Sequence, residues 1–321
     1  MDKFLERYSS AIEQAFGEYY RRHTSPEHLY QPVHYILSLG GKRLRPALVL
    51  LAADSFGCPL EKAMPAAMAI EVFHNFSLVH DDIMDRAPLR RGHPTVHCRW
   101  DANTAILSGD VMMIQAYELF ESYQGDTFRE VILAFNRVAR QVCEGQQLDM
   151  DYEKIGDVSQ AQYMEVIRLK TAVLIGGALR IGGIVAGAST RELEALEGFG
   201  TDVGLAFQLT DDYLDTFGDP RTFGKRIGGD ILEGKKTFLY ITARERASRE
   251  EFERAFSLAD EEEKIEAVRD LYRATGADQA LREQIDRYTE KALAHVDRLP
   301  FSQPYREHYI RLARALVQRK L

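Results

Sequence analysis

The stretch AMPAAMAIEVFHNFSLVHDDIMD, residues 63–85, decides the fold of this chain. From Ala63 to Val79 its small and large apolar residues recur with a helical period, so we predict a largely buried helix. The same stretch ends in three acidic residues, Asp81, Asp82 and Asp85. Because the preceding residues should be buried, these aspartates are expected at the mouth of an interior space.

The helical pattern continues through most of the 321 residues. Strand-like alternation of useful length is absent, and glycine and proline clusters separate the helical segments. No linker or low-complexity run divides the chain. We therefore predict an all-α, single-domain bundle of about ten helices over residues 1–321. Helices are expected at Ala47–Phe56, Ala63–Val79, Ala105–Tyr123, Phe128–Cys143, Val158–Ala188, Leu193–Phe217 and Lys235–Ala247, with amphipathic helices between Ser248 and Leu299.

Charge and hydropathy exclude several classes of function. Lys and Arg total 41 against 49 Asp and Glu, a net charge of −8, so the basic footprint of a nucleic-acid-binding protein is missing. The opening residues MDKFLERYSS lack the apolar core of a signal peptide. The most apolar stretch, Ala172 to Ala188, contains Arg180 and several glycines, which disfavours a membrane span. We expect a cytoplasmic protein without stable membrane insertion.

The acidic pattern occurs twice, as Asp81-Asp82-Ile83-Met84-Asp85 and as Asp211-Asp212-Tyr213-Leu214-Asp215. On a helix the first and fifth residues of DDxxD point the same way. If the two helices face each other, their carboxylates would enclose a common space. Oxygen ligands in that arrangement suit Mg²⁺, with phosphate oxygens completing the coordination shell. The repeat therefore predicts a diphosphate held by magnesium.

Basic residues predict a second anion. The segment GGKRLRP, residues 40–46, combines glycines that allow a close backbone approach with guanidinium groups that suit phosphate oxygens. Arg90 and Arg91 follow the first acidic pattern. His74 precedes Asp81 by about two helical turns, which places both on one face. Zinc ligation by His93, His97 and Cys98 is disfavoured, because glycine and proline break the helix that such a site would need.

Together these motifs resemble the trans-isoprenyl diphosphate synthases of the polyprenyl synthetase family, and the match covers nearly the whole chain in order. GGKRLRP resembles the family's GGKRxRP, and the two DDxxD segments resemble its two aspartate-rich motifs. The other matching elements are His74, Arg90-Arg91-Gly92, Gly145-Gln146 with Asp149, Lys170-Thr171, Gln208, Gly224-Lys225 and Gly234-Lys235. The resemblance implies the isoprenoid synthase fold, with the helices around a central cavity.

The resemblance also implies roles for individual residues. Three Mg²⁺ ions are expected on Asp81, Asp85 and Asp211, with Asp82 and Asp215 supporting them. The isopentenyl diphosphate site is expected at Gly41, Lys42, Arg45, His74 and Arg91. The allylic diphosphate site is expected at Arg90, Lys170, Thr171, Gln208, Lys225 and Lys235. The residues expected to be catalytic are Asp81, Asp82, Asp85, Arg90, Lys170, Asp211 and Lys225.

The implied reaction is head-to-tail prenyl transfer between isopentenyl diphosphate and dimethylallyl, geranyl or farnesyl diphosphate, in a homodimer. In the family, bulky residues before the first motif limit product length, and here these positions hold Phe73, Phe76 and Ser77. An aromatic fifth residue before Asp81 and a small fourth one resemble C20 synthases, so geranylgeranyl diphosphate is the expected product. A C15 product, farnesyl diphosphate, is the alternative. A non-catalytic partner subunit and a class I terpene cyclase are rival functions, disfavoured because both DDxxD segments are intact.

Overall fold

The computed structural model describes residues 3–219 and 227–317, and helices dominate both ranges. The all-α prediction is confirmed. The helices are α1 Lys3–Tyr20, α2 Glu27–Ser38, α3 Leu44–Ser55, α4 Leu60–Met84, α5 Val96–Arg99, α6 Ala102–Phe120, α7 Gly125–Glu153, α8 Gln160–Ile167, α9 Val173–Val185, α10 Thr190–Phe217, α11 Gly229–Leu232, α12 Phe238–Arg246, α13 Arg249–Phe256, α14 Glu261–Ala274, α15 Ala277–Val296 and α16 Gln303–Val317.

The chain forms two compact units, each with its own packing. The first comprises Met1–Ala139 and Gly177–Glu197, and the second comprises Arg140–Gly176 and Gly198–Leu321. In the first unit, α4 packs against α3 and α6. Because α4 is covered on several sides, it is apolar nearly all round, as the sequence of residues 63–79 predicts.

The core of the second unit is built from several helices and includes residues next to the second acidic motif. Leu209, Tyr213 and Leu214 of α10 belong to a buried cluster with Phe238 and Leu239 of α12. The same cluster continues through α14 and α15, for example at Val268 and Leu281. The motif is therefore anchored by apolar neighbours within its own helix.

A short hairpin, which the sequence patterns do not reveal, follows α4. Strand β1, Leu89–Arg90, pairs antiparallel with β2, His93–Pro94. The two residues between them, Arg91 and Gly92, have φ values of 52° and 78°. Two consecutive positive φ values are typical of the turn that suits a two-residue hairpin loop. Strands of two residues are too short to show a period in the sequence.

The prediction of one continuous helix from Val158 to Ala188 is wrong. Helix α8 begins at Gln160, where Ser159 and Gln162 form a capping box, and α9 ends at Val185. Between α8 and α9, a single π-turn spans Arg168–Ala172. A π-turn inserts one extra residue into the helical repeat, which periodicity alone does not detect.

No helix within residues 3–219 and 227–317 is both long enough and apolar enough to cross a membrane.

Candidate active site

The first acidic motif lies in the last turn of α4, and its three aspartates have different surroundings. Asp81 is half-buried and Asp85, which caps the helix, is exposed. Asp82 is 1% exposed, and both its oxygens accept hydrogen bonds from Arg90, at 2.7 to 2.9 Å. The helical turn thus separates a buried aspartate that holds an arginine from two aspartates nearer the surface.

The hairpin directs its two arginines to different places. Arg90, in β1, binds the Asp82 carboxylate as a planar fork. Arg91, in the turn, donates to the carbonyl oxygen of Gly40. Its guanidinium carbon lies 3.0 Å from the point that a Cβ on Gly41 would occupy, and Gly41 has φ 135°, a backbone conformation that favours glycine.

A group of cations surrounds the GGKRLRP segment. Arg45 Nη1 lies 3.2 Å from His74 Nε2. Lys42 and Arg91, the other basic residues predicted for this site, are exposed. Burial lowers the pKa of Arg45 to about 10, although the Glu71 carboxylate acts in the opposite direction. Burial and the charges of Arg45 and Arg91 hold the pKa of His74 well below its usual value. His74 is therefore neutral, and its Nε2 can accept from Arg45. Crowded cations of this kind favour an anionic ligand.

The aromatic residues that precede the first motif belong to a cluster from three helices. Phe73 is fully buried, and its ring centroid lies 5.6 Å from that of Phe76 and 5.2 Å from that of Phe135 in α7. Phe135 in turn contacts Tyr117 and Phe120 of α6. Phe76 is only half-buried, so part of its ring can be reached from outside the cluster. Ser77, also half-buried, donates its hydroxyl to the carbonyl oxygen of His74.

The second acidic motif lies near the end of α10, in the second unit. Asp211 and Asp215 are half-buried, and Asp212 is 2% exposed. The Asp212 carboxylate accepts hydrogen bonds from the Tyr163 hydroxyl and from Gln208 Nε2. Burial raises the pKa of Asp212 to about 7. Asp215 Oδ2 accepts from the backbone N–H of Asp230 at 2.9 Å.

Lys170 and Thr171 lie in the π-turn, which two glycines hold close to neighbouring helices. A Cβ on Gly145 of α7 would lie 2.5 Å from the backbone nitrogen of Lys170, and one on Gly204 of α10 would lie 2.7 Å from Cα of Ala172. The residues that bind the π-turn side chains lie one helical turn beyond these glycines. Lys170 Nζ binds Asp149 at 2.6 Å, and Thr171 Oγ1 donates to Gln208 Oε1 at 3.2 Å.

Of the two remaining predicted lysines, only Lys235 lies within the described residues. Lys235 is exposed, and its Nζ lies 3.6 Å from Asp230 Oδ1. Lys236 instead donates to the carbonyl oxygens of Tyr152, Glu153 and Ile155 at the end of α7. Lys225 and Gly224 lie outside the described residues.

Comparisons with known proteins show which family the chain belongs to. Residues 26–275 match the family model described as "Polyprenyl synthetase". A geranylgeranyl diphosphate synthase from Methanosarcina mazei is 42% identical over 225 residues, 70% of this chain and 69% of the relative. A crystal structure of a geranylgeranyl pyrophosphate synthase superposes with a TM-score of 0.91 at 47% identity, covering 98% of this chain and 99% of the other. The chain belongs to the polyprenyl synthetase family.

Membership of the polyprenyl synthetase family confirms the predicted reaction class, that of a trans-prenyltransferase. Its relatives differ in the product that they are named for. A geranylfarnesyl diphosphate synthase from Natronomonas pharaonis is 40% identical over 68% of this chain and 70% of the relative. The family is metal-dependent: a Corynebacterium glutamicum geranylgeranyl pyrophosphate synthase, crystallised with isoprenyl diphosphate and magnesium, matches with a TM-score of 0.86 at 29% identity, covering 100% of this chain and 99% of the other.

Sequence reasoning missed the residues that hold the site residues in place. Tyr163, which binds Asp212, carries no motif of its own. Glu71 did leave a signal, because it is the only acidic residue between Ala63 and Val79 and a buried carboxylate requires a partner. That partner is Arg43, at 2.6 Å.

Proposed function

We propose that this enzyme condenses isopentenyl diphosphate with an allylic diphosphate, in a magnesium-dependent reaction, to give geranylgeranyl diphosphate. The observation that carries the proposal is the separation of two kinds of charge in the first unit. Asp81 and Asp85 provide carboxylates at the end of α4, whereas Arg45 and Arg91 provide positive charge near the neutral imidazole of His74. Carboxylates suit a metal-bound diphosphate, and cations suit a second diphosphate bound directly.

The acidic residues fit a magnesium role unequally. Asp81, Asp85 and Asp211 are at least partly accessible, and oxygen-only donors of this kind suit Mg²⁺. We assign three ions to these residues, with Asp82 and Asp215 supporting them. When bound, the ions would neutralise charge on the departing diphosphate. Asp82 already accepts hydrogen bonds from Arg90 on both oxygens, so its support is indirect.

The chain's own residues would bind and orient both substrates. Gly41, Lys42, Arg45, His74 and Arg91 bind isopentenyl diphosphate, with no metal between. Cationic and hydrogen-bonding side chains stabilise the allylic diphosphate as its C–O bond breaks. These are Arg90, Lys170, Thr171, Gln208, Lys225 and Lys235. The isopentenyl double bond then attacks the allylic carbon, a C–C bond forms, and the released diphosphate takes the proton that is lost.

Product length in this proposal depends on Phe76, with Phe73 behind it. Phe76 is accessible enough to contact a growing chain, and Phe73 is fixed from behind by Phe135. Ser77 leaves space at the neighbouring position. A C15 product would require the chain to stop one isoprene unit earlier, and a C25 product one unit later.

We also propose a homodimer, which the family resemblance implies. Exposed apolar side chains on α6 support it: Leu107 is 59% exposed and Ile114 57% exposed, and seven residues of helix place them on one face. Light scattering on the eluting protein should give about twice the mass of 36.6 kDa. Replacing both residues by glutamate should give a monomer.

Incubation of the purified protein with isopentenyl diphosphate, each allylic starter and Mg²⁺ tests the proposed activity. We expect a 20-carbon prenyl diphosphate from all three starters. A hydrocarbon product would indicate a terpene cyclase, and no product would indicate a non-catalytic subunit.

A further inference from the structure

Arg43, the first arginine of GGKRLRP, turns into the protein rather than toward the neighbouring cations. It has φ 44°, an unusual value for a residue with a side chain, and its side chain is 1% exposed. It donates from Nε to Glu13 of α1, from Nη1 to Glu71 of α4, each at 2.6 Å, and from Nη2 to the carbonyl oxygen of Leu37 near the end of α2. One guanidinium thus joins three helices to the segment that carries Lys42 and Arg45.

Glu71 completes the arrangement from α4. Its side chain is 4% exposed, and its Oε1 accepts from both Arg43 and Asn75 Nδ2. His74 lies three residues further along the same helix, so Glu71, His74 and Asn75 share one side of α4. The Glu71 charge also reaches Arg45 and Arg91, where it opposes the lowering of their pKa by burial.

A buried ion pair contributes little net stability, because desolvation of both charges offsets most of their attraction. Its geometry is nevertheless strict, because removing one partner leaves the other buried and unpaired. The planar fork of arginine meets three acceptors in fixed directions, which lysine cannot do. The Arg43–Glu71 pair therefore restrains where its neighbours lie more than it stabilises the fold.

We propose that Arg43 and Glu71 are positioning residues for isopentenyl diphosphate binding: together they fix the segment that presents Lys42 and Arg45 and the turn of α4 that presents His74. Neither residue touches the substrate. This inference rests on the proposed function, since it requires that the cation group bind isopentenyl diphosphate. It assigns a role to the one basic residue of GGKRLRP that is not among the residues predicted to bind this diphosphate.

The variants Arg43→Lys and Glu71→Gln test this role, with Arg137→Lys as the control. Arg137 pairs with Glu197 at 2.6 Å in the same unit, so the control also replaces an ion-paired arginine by lysine. For each protein, KM for isopentenyl diphosphate, KM for farnesyl diphosphate, kcat and Tm are measured. We expect KM for isopentenyl diphosphate to rise by about tenfold or more in both variants, because small misplacements of binding groups cost that much. KM for farnesyl diphosphate should stay within about threefold of the wild-type value, and the control should match wild type throughout.

The variant Glu71→Gln also distinguishes a positioning role of Glu71 from a purely electrostatic one. Loss of the carboxylate makes the region more positive, so a purely electrostatic role predicts a lower KM for isopentenyl diphosphate, whereas a positioning role predicts a higher one. Folded variants with unchanged or lowered KM would overturn the inference. If neither variant folds, the pair is a folding element and the inference is equally overturned. A wild-type protein that does not consume isopentenyl diphosphate would instead refute the proposed function.

Discussion

The three aspartates of one DDxxD segment have two kinds of surroundings because a helix turns about 100° per residue. Asp82 points into the protein, where it holds Arg90, whereas Asp81 and Asp85 lie nearer the surface. Asp212 repeats this arrangement in the second motif with Tyr163 and Gln208. In each motif, the aspartates that we propose for metal binding are thus backed by a buried aspartate that accepts hydrogen bonds.

A double-mutant cycle can show whether Asp82 acts through Arg90. We expect Asp82→Asn and Arg90→Lys each to lower kcat/KM by roughly 10²-fold, because both destroy the bidentate pair. The double variant should be no worse than the more impaired single variant, since residues that act as a unit are not additive. Steady-state kinetics would measure this. Losses that multiply would mean that Asp82 acts independently of Arg90, for example on the metal.

Product length should respond to Phe76 more selectively than to Phe73. Phe76→Ala should shift the product from C20 to C25 and longer with little loss of stability, because the ring is half-buried. Phe73→Ala should also lengthen the product, but it should lower the free energy of unfolding by about 3–5 kcal/mol, because that ring is fully buried. Chromatography of the products and denaturant unfolding measure the two effects. Unchanged products in both variants would contradict this account of chain length.

Sequence reasoning at the residue scale identified residues that carry charge but not the residues that hold them. Lys42, Arg45 and His74 could be proposed as diphosphate ligands because their types and spacing resemble a known motif. The inward orientation of the Arg43 side chain could not be predicted, because it depends on acceptors from α1, α2 and α4 that are far apart in the sequence.

At the scale of the element, the π-turn at Arg168–Ala172 is the feature with the clearest link to the site. It carries both Lys170 and Thr171, and π-turns are often found at functional positions. Gly145 and Gly204 let α7 and α10 approach its backbone, so Asp149 and Gln208 reach the two side chains. Neither glycine is explained by helix propensity, since glycine weakens a helix interior.

Gly145→Ala should therefore disrupt this element. The added Cβ would lie 2.5 Å from the nitrogen of Lys170, so the backbone must shift. We expect a loss of about 1–3 kcal/mol in the free energy of unfolding, as for other overpacked sites, and a fall in kcat. Gly17→Ala is the matched control, because it lies in α1 with nothing within 4 Å of an added Cβ. A Gly145→Ala enzyme with wild-type kcat would show that the close approach does not matter.

At the scale of the whole molecule, the long helices could be predicted because they are long, rich in apolar residues and separated by glycine and proline clusters, as in α4 and α10. The helix bounds were less accurate: α7 extends to Glu153, ten residues beyond the predicted end at Cys143. Those extra turns carry Gly145 and Asp149, whose polar neighbours obscure the helical period. The hairpin and the π-turn escaped prediction because neither is long enough to have a period of its own.

Metal removal should abolish activity without unfolding the protein. Both units have apolar cores that do not depend on a metal, for example the cluster around Leu209 and Phe238. Treatment with EDTA should reduce prenyl transfer to background and Mg²⁺ should restore it, while the helical circular dichroism signal stays unchanged. Activity that persists in EDTA would contradict the magnesium assignment to Asp81, Asp85 and Asp211.

The most direct test of the proposed reaction follows one proton. The enzyme is incubated with farnesyl diphosphate, Mg²⁺ and isopentenyl diphosphate that carries two deuterium atoms at C2, and the product is analysed by mass spectrometry. Head-to-tail transfer predicts a 20-carbon diphosphate that retains one deuterium and has lost the other. A hydrocarbon formed from farnesyl diphosphate, with isopentenyl diphosphate left unconsumed, would contradict it.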